Sequence, residues 1–122
     1  MPASAEAADA RRFETLDEFW PFYIAQHMNR ANRRCHFIGT TLGLACLAGA
    51  MLTRSTLPLA PGLVLSYGFA WFGHFVYEKN RPATFEHPFL SLRSDFRMYR
   101  LMATASMELE IIRLKQEILR YR

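Results

Sequence analysis

The residues best suited to metal or proton chemistry gather in two short stretches. One, residues 71–88 (WFGHFVYEKNRPATFEHP), closes a long uncharged run and supplies His74, Glu78, Lys79, Arg81 and His87. His74 and Glu78 are four residues apart, so on a helix they share a face, one turn from each other. Pro82 blocks easy continuation of that helix and disfavours helical geometry at Arg81. An imidazole and a carboxylate thus project together from the end of an apolar helix, where polar groups are costly without partners. The other stretch, residues 27–39 (HMNRANRRCHFIG), adds His27 and His36, with Asn32 four residues before His36 and able to orient it. Three or four imidazoles with a carboxylate form a donor set for a transition metal. Two histidines and one carboxylate suit non-haem Fe(II), with positions left open for substrate and dioxygen. Three histidines suit zinc with water in the fourth place. The plain alternative is that these histidines cap helices and bond to backbone, which is the commoner role for any one of them.

The elements that must position these residues are apolar helices. Residues 37–53 and 55–77 carry no charged side chain, runs of 17 and 23 residues. About 20 apolar residues cross a bilayer as a helix, so the first run is marginal and the second sufficient. Helices are expected at about residues 36–53 and 62–79, separated by a turn from Arg54 to Pro61 with Ser55, Pro58 and Pro61 as breakers. Gly39 and Gly43 form a G-x-x-x-G, a spacing that lets helices approach closely in a membrane. Gly62, Ser66 and Ala70 lead along the second helix towards His74 as a facing seam of small residues.

Before the hairpin, Thr15-Leu-Asp-Glu18 resembles a capping box, opening a helix rich in aromatics (Phe19, Trp20, Phe22, Tyr23) that suits a core or a membrane interface. Pro21 requires that this helix begin near Asp17 or kink. After the hairpin, Ser94 or Asp95 can cap an amphipathic helix running to about residue 120. Residues 1–12 lack apolar periodicity and read as a disordered tail. The expected fold is therefore all-α: a membrane-embedded antiparallel helical hairpin, flanked by an N-terminal aromatic helix and a C-terminal amphipathic helix, in a single domain over residues 13–122. Cys35 and Cys46 are too far apart on one helix to bridge and read as reduced core residues. No secretory signal is evident.

A short turn makes the two apolar helices antiparallel, so the start of the first meets the end of the second. His36 lies at that start, and His74 and Glu78 at that end. His27 precedes the hairpin and His87 follows it, so all four histidines of the chain belong to one end. The same end carries Arg30, Arg33, Arg34, Lys79 and Arg81, against Arg54 alone at the other. That asymmetry places the histidine end, with both termini, in the cytoplasm. The net charge of +4 is therefore assigned to a bilayer and not to nucleic acid.

The residues His27-x4-Asn32-x3-His36-x2-Gly39, then Gly73-His74-x3-Glu78-Lys79-Asn80-Arg81-Pro82-Ala83 beyond the apolar hairpin, carry a family resemblance. The chain is similar to the small membrane family named for metabolism of phytosphingosine to odd-numbered fatty acids. Pro88-x2-Ser91-Leu92-x2-Asp95-Phe96-Arg97-Met98 looks like its bacterial members, which implies the inner membrane. The resemblance covers about residues 14–105. It implies an Fe(II)-dependent dioxygenase that removes the carboxyl carbon of a 2-hydroxy fatty acid and leaves an acid one carbon shorter, a step of fatty acid alpha-oxidation. His27, His36 and His74 occupy the family's histidine positions and inherit the ligand role. Glu78 falls on its acidic position, as an alternative ligand or a support for one. His87 lies at a variable position and is the first of the four to drop.

In this expectation the carboxylate and 2-hydroxyl of the substrate chelate the iron. Arg33, Lys79 or Arg81 pairs with the carboxylate, Arg best through its bidentate fork. The acyl tail lies along the hairpin's small-residue seam or directly in lipid. Two rival readings are a non-catalytic membrane hairpin that assembles with itself or a partner through helix seams and the basic terminal helix, and a zinc hydrolase. The second lacks a recognisable signature such as H-E-x-x-H.

Overall fold

The computed structural model describes residues 13–121. The expected tail at residues 1–12 lies outside the described residues. The elements are α1 (Leu16–Ala25), α2 (Arg30–Thr53), α3 (Leu59–Phe72), a π-helical turn (Gly73–Glu78), a 3-10 turn (Ala83–Phe85), α4 (Pro88–Ala103), α5 (Met107–Arg113) and α6 (Lys115–Leu119). No strand occurs among the described residues, so the fold is all-α. The chain forms two compact units, one from His27 to Pro82 and one from the segments before and after it.

The first unit is the hairpin of α2 and α3. Helix α2 starts at Arg30, earlier than the charge-free run suggests, because Asn29 caps it: its side chain accepts from the N–H groups of Ala31 and Asn32. The charged residues of its first turns are simply part of the helix. Helix α3 starts at Leu59, and Pro61 sits in its first turn, where no intrahelical donor is lost. The connecting turn closes through Arg54 in the left-handed conformation, with Ser55 N–H donating to the Ala50 carbonyl. Arg30–Thr53 and Leu59–Glu78 are both long and apolar enough to cross a membrane. Only 17% of the most apolar window of each is buried, whereas the core helix of a soluble fold would be mostly covered.

Contact between α2 and α3 runs through small residues in antiparallel order. A Cβ placed on Gly39 would stand 2.8 Å from the Ser66 carbonyl oxygen and 3.0 Å from Phe69 Cβ. One on Gly62 would stand 2.8 Å from Cys46 Cβ. Ser66 Oγ donates to the Gly39 carbonyl across the contact, at 3.1 Å. The G-x-x-x-G face is thus used within the hairpin, against Ser66 and Gly62.

The second unit is built on α1, which packs against α4 and α6. Thr15 caps α1, accepting from Glu18 N–H, as the capping sequence predicts. Pro21 lies inside the helix, and the carbonyl it leaves without a donor belongs to exposed Asp17, where water can serve. Phe19, Trp20, Phe22, Tyr23 and Ile24 are all buried, which settles the aromatic helix as a core element. The polar tips of its aromatics find partners: Trp20 Nε1 donates to Glu110 at 2.8 Å, and Tyr23 OH donates to Asp95. Arg97 covers the Trp20 ring at 4.7 Å and pairs with Asp17.

The long terminal helix is not continuous. It opens at Pro88, a favoured first helical residue, and breaks after Ala103, where Ala105 takes a left-handed conformation with φ 57°. Ser94 and Asp95 lie inside α4 and cap nothing.

Two predictions follow from this packing. Gly39→Ala meets a main-chain oxygen that cannot rotate away, so it should destabilise the hairpin by about 1–3 kcal/mol. Gly49→Ala, with nothing within 4 Å of the added carbon, should be neutral or stabilising in the same thermal unfolding assay. Burial pushes the Asp95 carboxyl up to about 7, against the hydrogen bond from Tyr23, which lowers it. A carboxyl whose folded pKa lies above its unfolded value stabilises while protonated. Stability should therefore fall between about pH 4 and pH 7 with a slope of at most about 1.4 kcal/mol per pH unit from this group, and unfolding of Asp95→Asn should lack that component.

Candidate metal centre

Three of the four histidines converge within the hairpin unit. His27 lies just before the Asn29 cap of α2, His36 lies on the second turn of that helix, and His74 lies on the π-helical turn that ends α3. All three are buried: relative exposures are 1%, 6% and 2%. Their ring centroids stand 4.5 to 4.8 Å apart, and the rings are nearly perpendicular to one another. One ligand nitrogen from each lies within 4.8 Å of the others, which is a group able to hold a metal ion.

The outer nitrogens fix which atoms face inward. His36 Nδ1 is 3.0 Å from the Asn32 main-chain carbonyl, and His74 Nδ1 is 2.6 Å from Asn80 Oδ1. Both oxygens accept, so each Nδ1 carries the proton and each Nε2 is left with a lone pair. His36 Nε2 is 3.2 Å from His27 Nε2. Two imidazole nitrogens bound to one ion at about 2.1 Å are separated by roughly 3–3.4 Å, so this spacing fits a shared metal. Buried lone pairs directed at one another are unfavourable without a cation or proton between them. The donor set is thus suited to a divalent transition metal, with His36 and His74 each held from behind.

Several contacts assemble the centre. Gly73 lets the π turn touch α2: a Cβ there would be 3.0 Å from Cys35 Cβ and 3.2 Å from Asn32 Cα. Arg33 is buried, and its Nη1 donates to the carbonyls of His27 and Met28 at 2.7 and 2.8 Å. It ties the His27 segment back onto α2. Glu78 Oε1 accepts from Asn29 N–H at 2.9 Å and from Asn32 Nδ2 at 3.1 Å. Its carboxylate therefore joins the end of the π turn to the capped start of α2, and it is not among the grouped ligand atoms. Arg81 is exposed on the connector that follows. His87 belongs to the other unit, where its ring packs against Phe13 and Phe19 at 5.8 and 5.4 Å.

Residues 13–107 match the family described as 2-hydroxy-palmitic acid dioxygenase Mpo1-like. The chain belongs to this family. The match spans both histidine stretches and stops at Met107, so α6 lies outside it. No curated protein and no solved structure matches the chain.

Residue type and spacing do not single out Asn80 or Asn29. Asn29 before the charged turn Arg30–Arg34 is a cap signal that could have been read. If the trio is a metal centre, the purified protein should bind one divalent ion per chain, and His36→Ala or His74→Ala should abolish that. Elemental analysis after gel filtration checks it, and full stoichiometry in both variants would contradict it.

Proposed function

We propose that the chain is an Fe(II)-dependent dioxygenase of 2-hydroxy fatty acids, releasing the acid one carbon shorter. The observation that carries this reading is the buried trio of His27, His36 and His74 in a chain of this family. The overall change balances without another reductant: R–CH(OH)–COOH and O2 give R–COOH, CO2 and H2O. A divalent iron held by the three imidazoles supplies the redox chemistry that couples dioxygen to carbon oxidation.

The remaining roles fall to the chain's own side chains. Arg33 and Glu78 hold His27 and the α2 start in place, each through two hydrogen bonds. Glu78 thereby acts as a support of the donor set in preference to a ligand of it. Arg81, exposed at the histidine end, is the better placed cation for a substrate carboxylate, since Arg33 is buried and engaged with carbonyls. The seam between α2 and α3 is filled by Gly39, Ser66 and Gly62, which leaves no room there for an acyl chain. The tail is assigned to the lipid side of the hairpin, beside the exposed side chains of Ile38, Phe72, Phe75 and Val76.

We infer that the hairpin lies in a membrane, a reading supported by the length and apolar composition of its two helices. In this reading its histidine end faces the cytoplasm, supported by the cluster of Arg30, Arg33, Arg34, Lys79 and Arg81 against Arg54 at the other end.

Zinc in place of iron should bind and leave the protein inactive towards a 2-hydroxy fatty acid, which separates this reading from a hydrolase. Arg81→Ala should raise KM for the acid about tenfold or more and change kcat less, because its charge-assisted hydrogen bonds bind the carboxylate in both ground and transition states. Turnover with zinc equal to that with iron would overturn the proposal.

A further inference from the structure

We infer that Asn80 is a positioning residue for His74, its side-chain carbonyl holding the imidazole in the tautomer that directs Nε2 into the metal centre. The inference rests on the metal-centre reading above and deepens it.

Asn80 grips His74 at two points. Its main-chain N–H donates to the His74 carbonyl at 3.0 Å, and its Oδ1 accepts from His74 Nδ1 at 2.6 Å. Neither contact is available on a regular α-helix. Six residues further along, a side chain lies about 240° round the axis and about 9 Å higher. Two local departures bring Asn80 back. The widened π-helical turn Gly73–Glu78 ends the helix, and Lys79 then takes a left-handed conformation with φ 59° that folds the chain over the last turn. Both departures lie within the segment that presents His74, and π-type turns are frequent at functional sites.

The rest of the centre leaves this task to Asn80. For His36 the same acceptor role falls to a main-chain carbonyl, that of Asn32, which the helix supplies whatever the side chain. His74 stands where the helix has ended, and a side chain takes the place of that carbonyl. With the amide reversed, Nδ1 would become the acceptor and the proton would move to Nε2. It would then point at the other two histidines and block ligation. Partners of this kind orient metal-bound histidines and raise their basicity, and their loss lowers metal affinity about 10–100-fold.

The test compares wild type with Asn80→Leu, which keeps the shape and removes the acceptor, and Asn80→Asp, which restores an acceptor. Co(II) is the probe, titrated in detergent against a chromophoric chelator, with the visible Co(II) spectrum as a second readout. Asn80→Leu should bind about 10–100-fold more weakly with an altered spectrum, and Asn80→Asp should recover affinity to within a few-fold of wild type. Equal binding by Asn80→Leu and wild type overturns the inference. Equal weakness of both variants also overturns it, since it shows that the side chain matters for shape and not as an acceptor. Failure of wild type itself to bind Co(II) overturns the metal-centre reading and the inference with it. Should Asn80→Leu not fold, 15N–1H correlation of the imidazoles in metal-free wild type decides: His74 protonated at Nδ1 supports the inference, and protonation at Nε2 overturns it.

Discussion

The close approach of α2 to the helix that returns beside it is the constraint on which the hairpin unit depends. Gly39 meets the Ser66 main chain, Gly62 meets Cys46, and Gly73 meets Cys35 and Asn32. On the membrane reading lipid supplies no hydrophobic drive between the helices, so contact of this kind comes from packing and from bonds such as Ser66 to Gly39. The last of these contacts does more than hold the hairpin. With Gly73 against Asn32, His74 is carried to His36, and the segment before α2 brings His27 to both. A larger residue at position 73 would separate the imidazoles before it altered any of them.

A second layer makes that convergence chemically usable. Three neutral imidazoles in a buried space are a cost unless their lone pairs share a cation, and they can share one only when the protons are on the far side. The Asn32 carbonyl and the Asn80 amide keep them there for His36 and His74. Arg33 and Glu78 fasten the segments that bear these groups. The polar residues at this end of the hairpin thus form a graded arrangement: donors inside, acceptors behind them, and charged groups bracing the backbone. The other unit uses polar groups differently. There Asp95 and Glu110 accept from the tips of buried Tyr23 and Trp20, and Arg97 lies over the Trp20 ring.

Much of this could be read from the sequence, for identifiable reasons. Charge-free runs reveal apolar helices, and a short turn leaves no arrangement but an antiparallel one, so the meeting of His27, His36 and His74 follows from chain order. Connectivity constrains a residue less once the chain has left the hairpin: His87, which follows it, packs its ring against Phe13 and Phe19 in the other unit. Charge patterning does not reveal a helix start where polar residues belong to the helix, as at Arg30–His36, or where a proline begins one, as at Pro88. The left-handed break at Ala105 has no glycine to announce it. The proposed role of Asn80 is hidden from the sequence because it depends on the π turn and on Lys79, and side-chain spacing along an ideal helix puts Asn80 on the wrong side.

We propose that the trio holds iron and that dioxygen is the co-substrate for shortening a 2-hydroxy acid. The most direct test is the ratio of dioxygen consumed to shortened acid formed by Fe(II)-loaded protein in air, beside the same incubation under argon. One dioxygen per acid in air and no product under argon is the expected result. Shortened acid appearing equally under both gases, or under neither, would contradict it.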